Sequence, residues 1–411
     1  MRDTIFYASK DEKITPQEIA HADLARKLAG ECMVLLENDG VLPLKSRGEI
    51  ALYGNGVRKT IQGGTGSGSV NTRSITNIEK GFEEAGFTVT NKAWLDANDD
   101  HYKKMQEAYQ EWLEEEGKRR NVPPFLVSFD YPFSEPAPYT ISKEEVAGCK
   151  AKIAVYVISR NSGEGKDREY REGDYLFYPE ELDGIRNLIA GGKKLIVVLN
   201  IGGVMQLTEL KKIIGINAIV LMNQLGNLGG NALVDLISGA VTPSGKLADT
   251  WAVEYKDYPS SATFSHNNGN VDEEYYQEGI YVGYRYFDSF GVTPLYPFGY
   301  GLSYTSFDIK TVKVEQKSEF IVVSVKVRNT GDYYTGKEVV QIYLSKPQGQ
   351  MDMPYQELVA FQKTGELRPG EEECIDLEFP LELLAGYDTD SAAYLVEAGD
   401  YIVRVGADSA S

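Results

Sequence analysis

Ile153-Ala-Val-Tyr-Val-Ile158, running directly into Ser159-Arg-Asn-Ser-Gly-Glu-Gly-Lys-Asp-Arg-Glu-Tyr-Arg-Glu-Gly-Asp174, decides the fold. Six apolar residues with no polar alternation, closed by a charged loop, read as a short strand covered on both faces. Glu49 to Tyr53, Lys194 to Leu199 and Ala218 to Met222 repeat that signature, while Pro179 to Ala190 and Leu225 to Ser238 carry helical periodicity between them. Apolar strands alternating with helices predict an α/β domain, a mostly parallel sheet flanked by helices (an α/β sandwich). In such a fold the loops at the carboxyl ends of the strands carry the chemistry. Glycines at 163, 165 and 173 are expected to give that loop positive φ and tight bends, so that Glu164 stands on a projecting arm. Taken alone, a glutamate in such a loop is a solvated surface charge.

Outward from this stretch, Asp99 to Arg120 predicts a polar helix with Tyr102, Met105, Tyr109 and Trp112 at helical spacing, read as a packing stripe rather than a sugar platform. Residues 253–306 are rich in Tyr, Gly and Pro with little periodicity, and are expected to wrap the first domain as a connector. From Phe307 the period changes to two. Phe320-Ile-Val-Val-Ser-Val-Lys-Val-Arg328, Val339 to Leu344, Leu358 to Gln362, Glu373 to Phe379 and Asp400 to Val405 are short strands separated by turn signals, which predicts an all-β sandwich. The expected division is 1–252, 253–306 and 307–411.

The 411 residues carry 42 Lys and Arg against 61 Asp and Glu, a net charge of −19. That sign argues against nucleic acid and anionic membrane as partners. Cys32, Cys149 and Cys374 form no metal-type pair, and the N-terminal Met1-Arg-Asp-Thr-Ile-Phe-Tyr7 has no apolar signal core. Both fit a reducing, cytoplasmic setting. His21, His101 and His266 lack metal-ligand spacing, so neither a metal nor a cofactor is expected. The glycine-rich Gly63-Gly-Thr-Gly-Ser-Gly-Ser69 could in principle expose backbone N–H groups to a phosphate, but it lacks the Gly-Lys-Ser/Thr ending of a phosphate loop. Within the charged loop, Asp167, Arg168 and Asp174 offer an ion-pair brace, and Arg168 is expected to face Asp167 or Asp174 rather than Glu164, whose carboxyl it would otherwise make more acidic.

Gly163-Glu-Gly-Lys-Asp-Arg168 resembles the acid/base loop of glycoside hydrolase family 3, the family of β-glucosidases, β-xylosidases and related exo-acting enzymes. Similar in the same sense, and in the same order, are Ala25 to Leu44 (a helix and turn), Gly63 to Ser69, Pro243-Ser-Gly-Lys-Leu-Ala-Asp-Thr-Trp251, Tyr281-Val-Gly-Tyr-Arg-Tyr-Phe-Asp288 and Pro297 to Phe307. The resemblance implies Glu164 as general acid/base and Ser67, with Gly66 and Gly68, at the non-reducing sugar of a β-linked glucoside or oligosaccharide. It also implies a fibronectin type III-like identity for the final sandwich. Two departures stand out. Gln224-Leu-Gly-Asn-Leu-Gly229 lacks the proline usual in the corresponding turn, and no segment supplies eight βα units or a Ser/Thr-Asp-Trp nucleophile motif. The missing partner is therefore expected to be the family's TIM barrel, in a fragment or with the barrel following residue 411. A carbohydrate-binding module and a protein-binding scaffold are the competing classes, and self-association stays open.

Overall fold

The computed structural model describes residues 11–161, 163–164 and 167–411, so Gly165 and the N-terminal Met1 to Tyr7 lie outside the described residues. The first domain is built from helices α1 (Pro16–Cys32), α2 (Ile78–Glu84), α3 (Lys92–Arg120), α4 (Pro124–Asp130), α5 (Lys143–Gly148), α6 (Pro179–Ala190), α7 (Thr208–Lys211) and α8 (Gly229–Ile237). Its strands are β1 (Val34–Asn38), β2 (Glu49–Tyr53), β3 (Thr88–Val89), β4 (Ile153–Arg160), β5 (Lys194–Ile201) and β6 (Ile216–Leu221), in the order β1-β6-β5-β4-β2-β3. All neighbours are parallel except β1, which runs antiparallel to β6. The mostly parallel α/β architecture read from the apolar runs is therefore present. Every residue of β4 after Ile153, and of β5 after Lys194, is buried, as two-sided coverage demands.

Among the elements of this domain, the sequence reading differs from the structure at β1, at the start of α8 and along α3. Ala25 to Leu44 was expected as helix and turn, but α1 stops at Cys32 and Val34-Leu-Leu-Glu-Asn38 becomes the antiparallel edge strand β1. Its first three residues are as buried as any in the sheet, and a run of five is too short for periodicity to separate strand from helix. The helix expected over Leu225 to Ser238 begins as a 3₁₀ turn, Gly226–Leu228, and is α-helical only from Gly229. A Cβ on Gly230 would lie 2.1 Å from the Asn77 carbonyl oxygen, so this end of α8 abuts the start of α2 as only glycine permits. The α3 stripe divides. Tyr102 and Tyr109 pack their rings on Phe133, whereas Met105 is 44% exposed and Trp112, although its ring meets Tyr131, is 40% exposed.

Residues 253–306 contact both halves of the molecule rather than the first domain alone: in α9 (Tyr284–Phe290), Tyr284 Oη accepts the Leu358 N–H at 2.8 Å and Asp288 accepts from the Gln356 amide at 2.9 Å, whereas residues 296–304 lie against the first domain. The hydroxyls of Tyr296, Tyr300 and Tyr304 donate to the Glu37 carboxylate and to the Leu36 and Leu236 carbonyls, and Leu302 bridges to Leu35 of β1. The second domain comprises β7 (Phe307–Lys317), β8 (Phe320–Asn329), β9 (Val339–Ser345), β10 (Glu357–Lys363), β11 (Glu372–Pro380), β12 (Gly386–Asp388), β13 (Ala393–Leu395) and β14 (Ile402–Gly406). Two antiparallel sheets, β10-β9-β14 and β11-β8-β7, enclose a core in which Val323, Val325 and Val327 pack with Val340, Ile342 and Leu344. The alternating burial along β8 is the period-two pattern read from its sequence.

Asn200, wholly buried near the end of β5, ties the glycine-rich segment to the sheet. Its Oδ1 accepts from the Ile61 N–H at 2.7 Å, and its Nδ2 donates to the carbonyls of Ile61 at 3.0 Å and Asn223 at 2.6 Å. Asn200→Ala strands those backbone groups in the interior. We expect it to lower first-domain stability by about 2–4 kcal/mol, since each buried group left unpaired costs about 1–3 kcal/mol. Urea unfolding followed through the first domain's transition measures this, and a loss below the assay error contradicts it.

Candidate active site

β2 and β4 are adjacent and parallel, pairing Ala51 with Ala154, Leu52 with Val155 and Tyr53 with Tyr156. The loops that follow them therefore leave the sheet at the same end. After β2, Gly54 turns at φ 94°, and a Cβ there would sit 2.1 Å from the Val157 carbonyl oxygen, so the chain stays against β4 on its way to the glycine-rich loop. After β4 comes the charged loop. The two meet through a parallel bridge between Thr65 and Gly163.

That contact puts Glu164 over the turn Gly66–Gly68. Its Oε2 accepts from the Ser67 amide at 2.9 Å and from the Ser67 hydroxyl at 2.7 Å. Gly66 adopts φ +74°, and a Cβ on it would lie 2.7 Å from the same carboxylate oxygen. Gly68 closes the turn with open space around its Cα, and it lines a hollow of about 430 Å³ shared with Lys59, Gln62, Val70 and Asn161. The sequence-derived residues Glu164, Ser67 and Gly66 are thus brought into one contact. Glu164 is exposed, and the hydroxyl and amide of Ser67 hold its carboxyl below the ordinary value by favouring the ionised form.

The glycines of the charged loop act differently from the expectation. Gly163 does not need positive φ. A Cβ on it would fall 1.4 Å from Thr65 Oγ1, so it is required by the close approach of the two loops. Gly173 does turn at φ +77°, with the Tyr178 ring where its Cβ would be, and Gly165 is outside the described residues.

Arg168 pairs with the Asp174 carboxylate and donates to the Asp174 carbonyl at 3.0 Å, while the other carboxylate oxygen of Asp174 accepts from the Glu169 N–H at 2.8 Å. Asp167 is exposed and stands outside that pair. Another carboxylate of the same loop, Glu169, is drawn to Arg171. Beside Arg168 lies a hollow of about 310 Å³ walled by Tyr170, Tyr175, Tyr255, Tyr258 and Phe264, with Tyr170 stacked on Tyr255 at 4.9 Å between centroids. Flat rings of this kind accept the apolar faces of sugars and aromatic groups.

The motif reading passed over several residues. In the sequence Thr65 reads only as part of a glycine-rich run, yet its side chain is what forbids a Cβ at Gly163. Arg160 closes β4 and makes a buried bidentate pair with Glu181, both about 5% exposed or less. An arginine ending an otherwise apolar strand was the available signal, because a buried guanidinium demands a carboxylate. Among the described residues no three or more His, Cys, Asp or Glu side chains converge as metal ligands. His101 contacts the Ala137 carbonyl, and His266 sits beside Glu274.

The same part of the molecule exposes apolar side chains. Ile19, Leu24 and Leu28 of α1 are 53%, 53% and 51% exposed, and Val70 and Ile75, just after the glycine-rich loop, are 71% and 47% exposed. Arg73 ties the two segments together through Glu18 at 3.4 Å and the Glu12 carbonyl.

Removing the donor side chain should release the carboxylate. In Ser67→Ala, Glu164 is expected to titrate at a higher pH than in the unaltered chain. The sign follows from the contact, which favours the ionised form and is lost as pH falls through the Glu164 value. Gly163→Ala, which pushes Thr65 away, should give the same upward shift with little loss of unfolding temperature. Carboxyl ¹³C NMR of Glu-labelled protein reads both, and an unmoved Glu164 resonance in either variant contradicts the geometry described.

Comparison with known proteins places the chain. The profile of the glycosyl hydrolase family 3 C-terminal domain matches residues 33–284, and that of a fibronectin type III-like domain matches 338–409. The chain is 34% identical to beta-glucosidase A of Butyrivibrio fibrisolvens over 95% of its own length and 50% of that protein's. It is 27% identical to an exo-alpha-(1->6)-L-arabinopyranosidase of Bifidobacterium breve, over 99% and 53%. Among solved structures, beta-glucosidase 3B from Thermotoga neapolitana in complex with alpha-D-glucose superposes with a TM-score of 0.83 at 39% identity, covering 96% of this chain and 53% of that one. The chain thus spans about half the length of the curated relatives it matches. With its α/β sheet, its fibronectin-like sandwich and these matches along nearly its whole length, the chain belongs to glycosyl hydrolase family 3.

Proposed function

We propose that this chain supplies the general acid/base, Glu164, to the active site of an exo-acting retaining β-glycosidase, a β-glucosidase, whose nucleophile and most sugar-binding groups lie on a TIM barrel outside these 411 residues. The observation that carries the reading is the seating of an exposed carboxylate on Ser67 and Gly66, at the carboxyl end of adjacent parallel strands. A retaining mechanism needs two carboxyl groups about 5 Å apart, one attacking the anomeric carbon and one moving a proton. Glu164 is suited to the second task because it stands on a loop above the sheet and is open to a partner surface.

The two half-reactions ask opposite things of this group. Protonating the leaving oxygen requires Glu164 to hold a proton, and deprotonating the attacking water requires it to be ionised. Ser67 favours the ionised form in the chain by itself. The nucleophile's charge and the exclusion of water by a covering domain act the other way, raising the carboxyl. Ser67, with Gly66 and Gly68, faces the sugar in this reading, and the tyrosine-walled hollow beside Arg168 suits the leaving group. The uncovered Ile19, Leu24, Leu28, Val70 and Ile75 are the side chains a covering barrel would bury. Glucose is chosen because the beta-glucosidases named above match at higher identity than the arabinopyranosidase.

In the barrel-completed enzyme, Glu164→Gln is expected to slow glucosides with poor leaving groups by about 10²–10⁴-fold, while activated aryl glucosides lose far less, because only the former need protonation. Azide should restore part of the turnover by replacing activated water. Equal losses on both substrate types without azide rescue would sink the assignment.

The 411-residue chain alone is expected to give no turnover of 4-nitrophenyl β-glucoside, and to bind free glucose no tighter than roughly millimolar, since so few contacts cannot offset the freedom lost on binding. Adding the separately expressed barrel should start hydrolysis. Turnover by the chain alone, abolished by replacing a carboxylate other than Glu164, would overturn the half-site reading.

A further inference from the structure

The loop carrying Glu164 leaves β4 at Arg160 and rejoins regular structure at α6. All five guanidinium N–H groups of Arg160 are used. Nε donates to the Asp174 carbonyl at 3.1 Å. Nη1 donates to the Ser159 carbonyl at 2.8 Å and to Glu181 Oε1 at 2.9 Å, and Nη2 donates to Glu181 Oε2 at 2.6 Å and the Leu176 carbonyl at 3.3 Å. Glu181 in turn accepts the Tyr178 N–H at 2.9 Å, fixing the first turn of α6. The Asp174 carbonyl also receives Arg168, whose side chain pairs with the Asp174 carboxylate. One buried side chain at the loop's outgoing root therefore holds its returning limb and the helix that follows.

A buried ion pair is poor material for stability alone. Withdrawing two charges from water takes up much of what their attraction returns, and apolar residues of similar volume often serve as well or better. What an apolar pair cannot supply is five directed bonds, two to the returning limb of the loop, two to the helix after it and one to the strand before it. We infer that Arg160 is a positioning residue for Glu164, fixing both roots of its loop so that the carboxylate is presented at one place over the Gly66–Ser67 turn. The consequence for turnover rests on the reading of Glu164 as acid/base, but the placement itself does not.

The test uses the 411-residue chain and two variants, Arg160→Met with Glu181→Leu, which removes both charges at similar volume, and Arg160→Lys, which keeps the charge without the fork. Thermal unfolding reports the fold, amide hydrogen exchange over residues 161–178 reports the loop, and the ¹³C titration of Glu164, assigned through Glu164→Gln, reports the carboxylate. The paired variant is expected to keep its unfolding midpoint within a few degrees. Exchange over 161–178 should rise by roughly tenfold or more while that of β4 and β5 does not change. Glu164 should lose its contact with Ser67 and titrate at higher pH. If the paired variant does not fold, Arg160→Lys is judged on the same two readouts. A folded variant with loop exchange and Glu164 titration like the unaltered chain would make the pair a plain stability element and overturn the inference, as would failure of both variants to fold. In the barrel-completed enzyme, kcat on poor leaving groups should fall by roughly tenfold or more with KM within about twofold, the signature of a misplaced group rather than a lost binding contact. A loosened loop in a protein that hydrolyses no glycoside supports the positioning and rejects the acid/base reading, which separates the two failures.

Discussion

The side-by-side parallel pairing of β2 and β4 is the constraint on which the candidate site depends. Parallel strands point their carboxyl ends the same way, so two loops distant in sequence emerge together without further design. Contact between the loops then requires the chain after β2 to hug β4. Gly54 and Gly56 allow this, because Cβ atoms there would fall 2.1 Å from the Val157 carbonyl oxygen and 2.6 Å from its Cγ1. The approach continues at Thr65 and Gly163 and ends with Glu164 on Ser67. A chain of close contacts, each relying on a missing side chain, carries the geometry of the sheet out to an exposed carboxylate.

Against this closeness stands the flexibility that glycine brings. A loop with so many glycines has many conformations to lose on ordering, and hydrogen bonds from an exposed serine hold only one end of it. The other end is held by charge in the interior. Arg160 with Glu181 and Arg168 with Asp174 form two successive ion pairs, the first buried and the second nearly so, that share the Asp174 carbonyl as a common acceptor. The conformational freedom that glycine brings and the anchoring at the root are thus assigned to different residue types.

Much of this could be read from the sequence, and the failures have physical causes. The buried strands β2, β4 and β5 announced themselves because coverage on both faces leaves no polar position, and β8 did so because one-sided burial forces alternation. Glu164, Ser67 and Gly66 were singled out by their motifs, and the fold brings the three into one contact. Edge strand β1 was missed since its neighbours are contributed by β6 and by the segment around Leu302, far away in sequence. The role of Gly163 was misattributed to φ because sequence shows that a side chain is absent but not what occupies the space. Arg160 was visible and its partner was not, since 20 residues of loop and helix separate Arg160 from Glu181 and only folding makes them neighbours.

The exposed apolar side chains of α1 and of the segment after the glycine-rich loop also bear on how the isolated chain behaves in solution. Each molecule carries a net charge of −19, and at low ionic strength that repulsion keeps uncovered faces apart. Salt shortens the reach of the repulsion to about 8 Å near physiological ionic strength, whereas the hydrophobic contribution of exposed side chains such as Leu24, Leu28 and Val70 is not screened by it. Colloidal stability of the chain is therefore expected to depend on buffer composition, a dilute, low-salt solution opposing contact between uncovered faces and a salting-out precipitant favouring it.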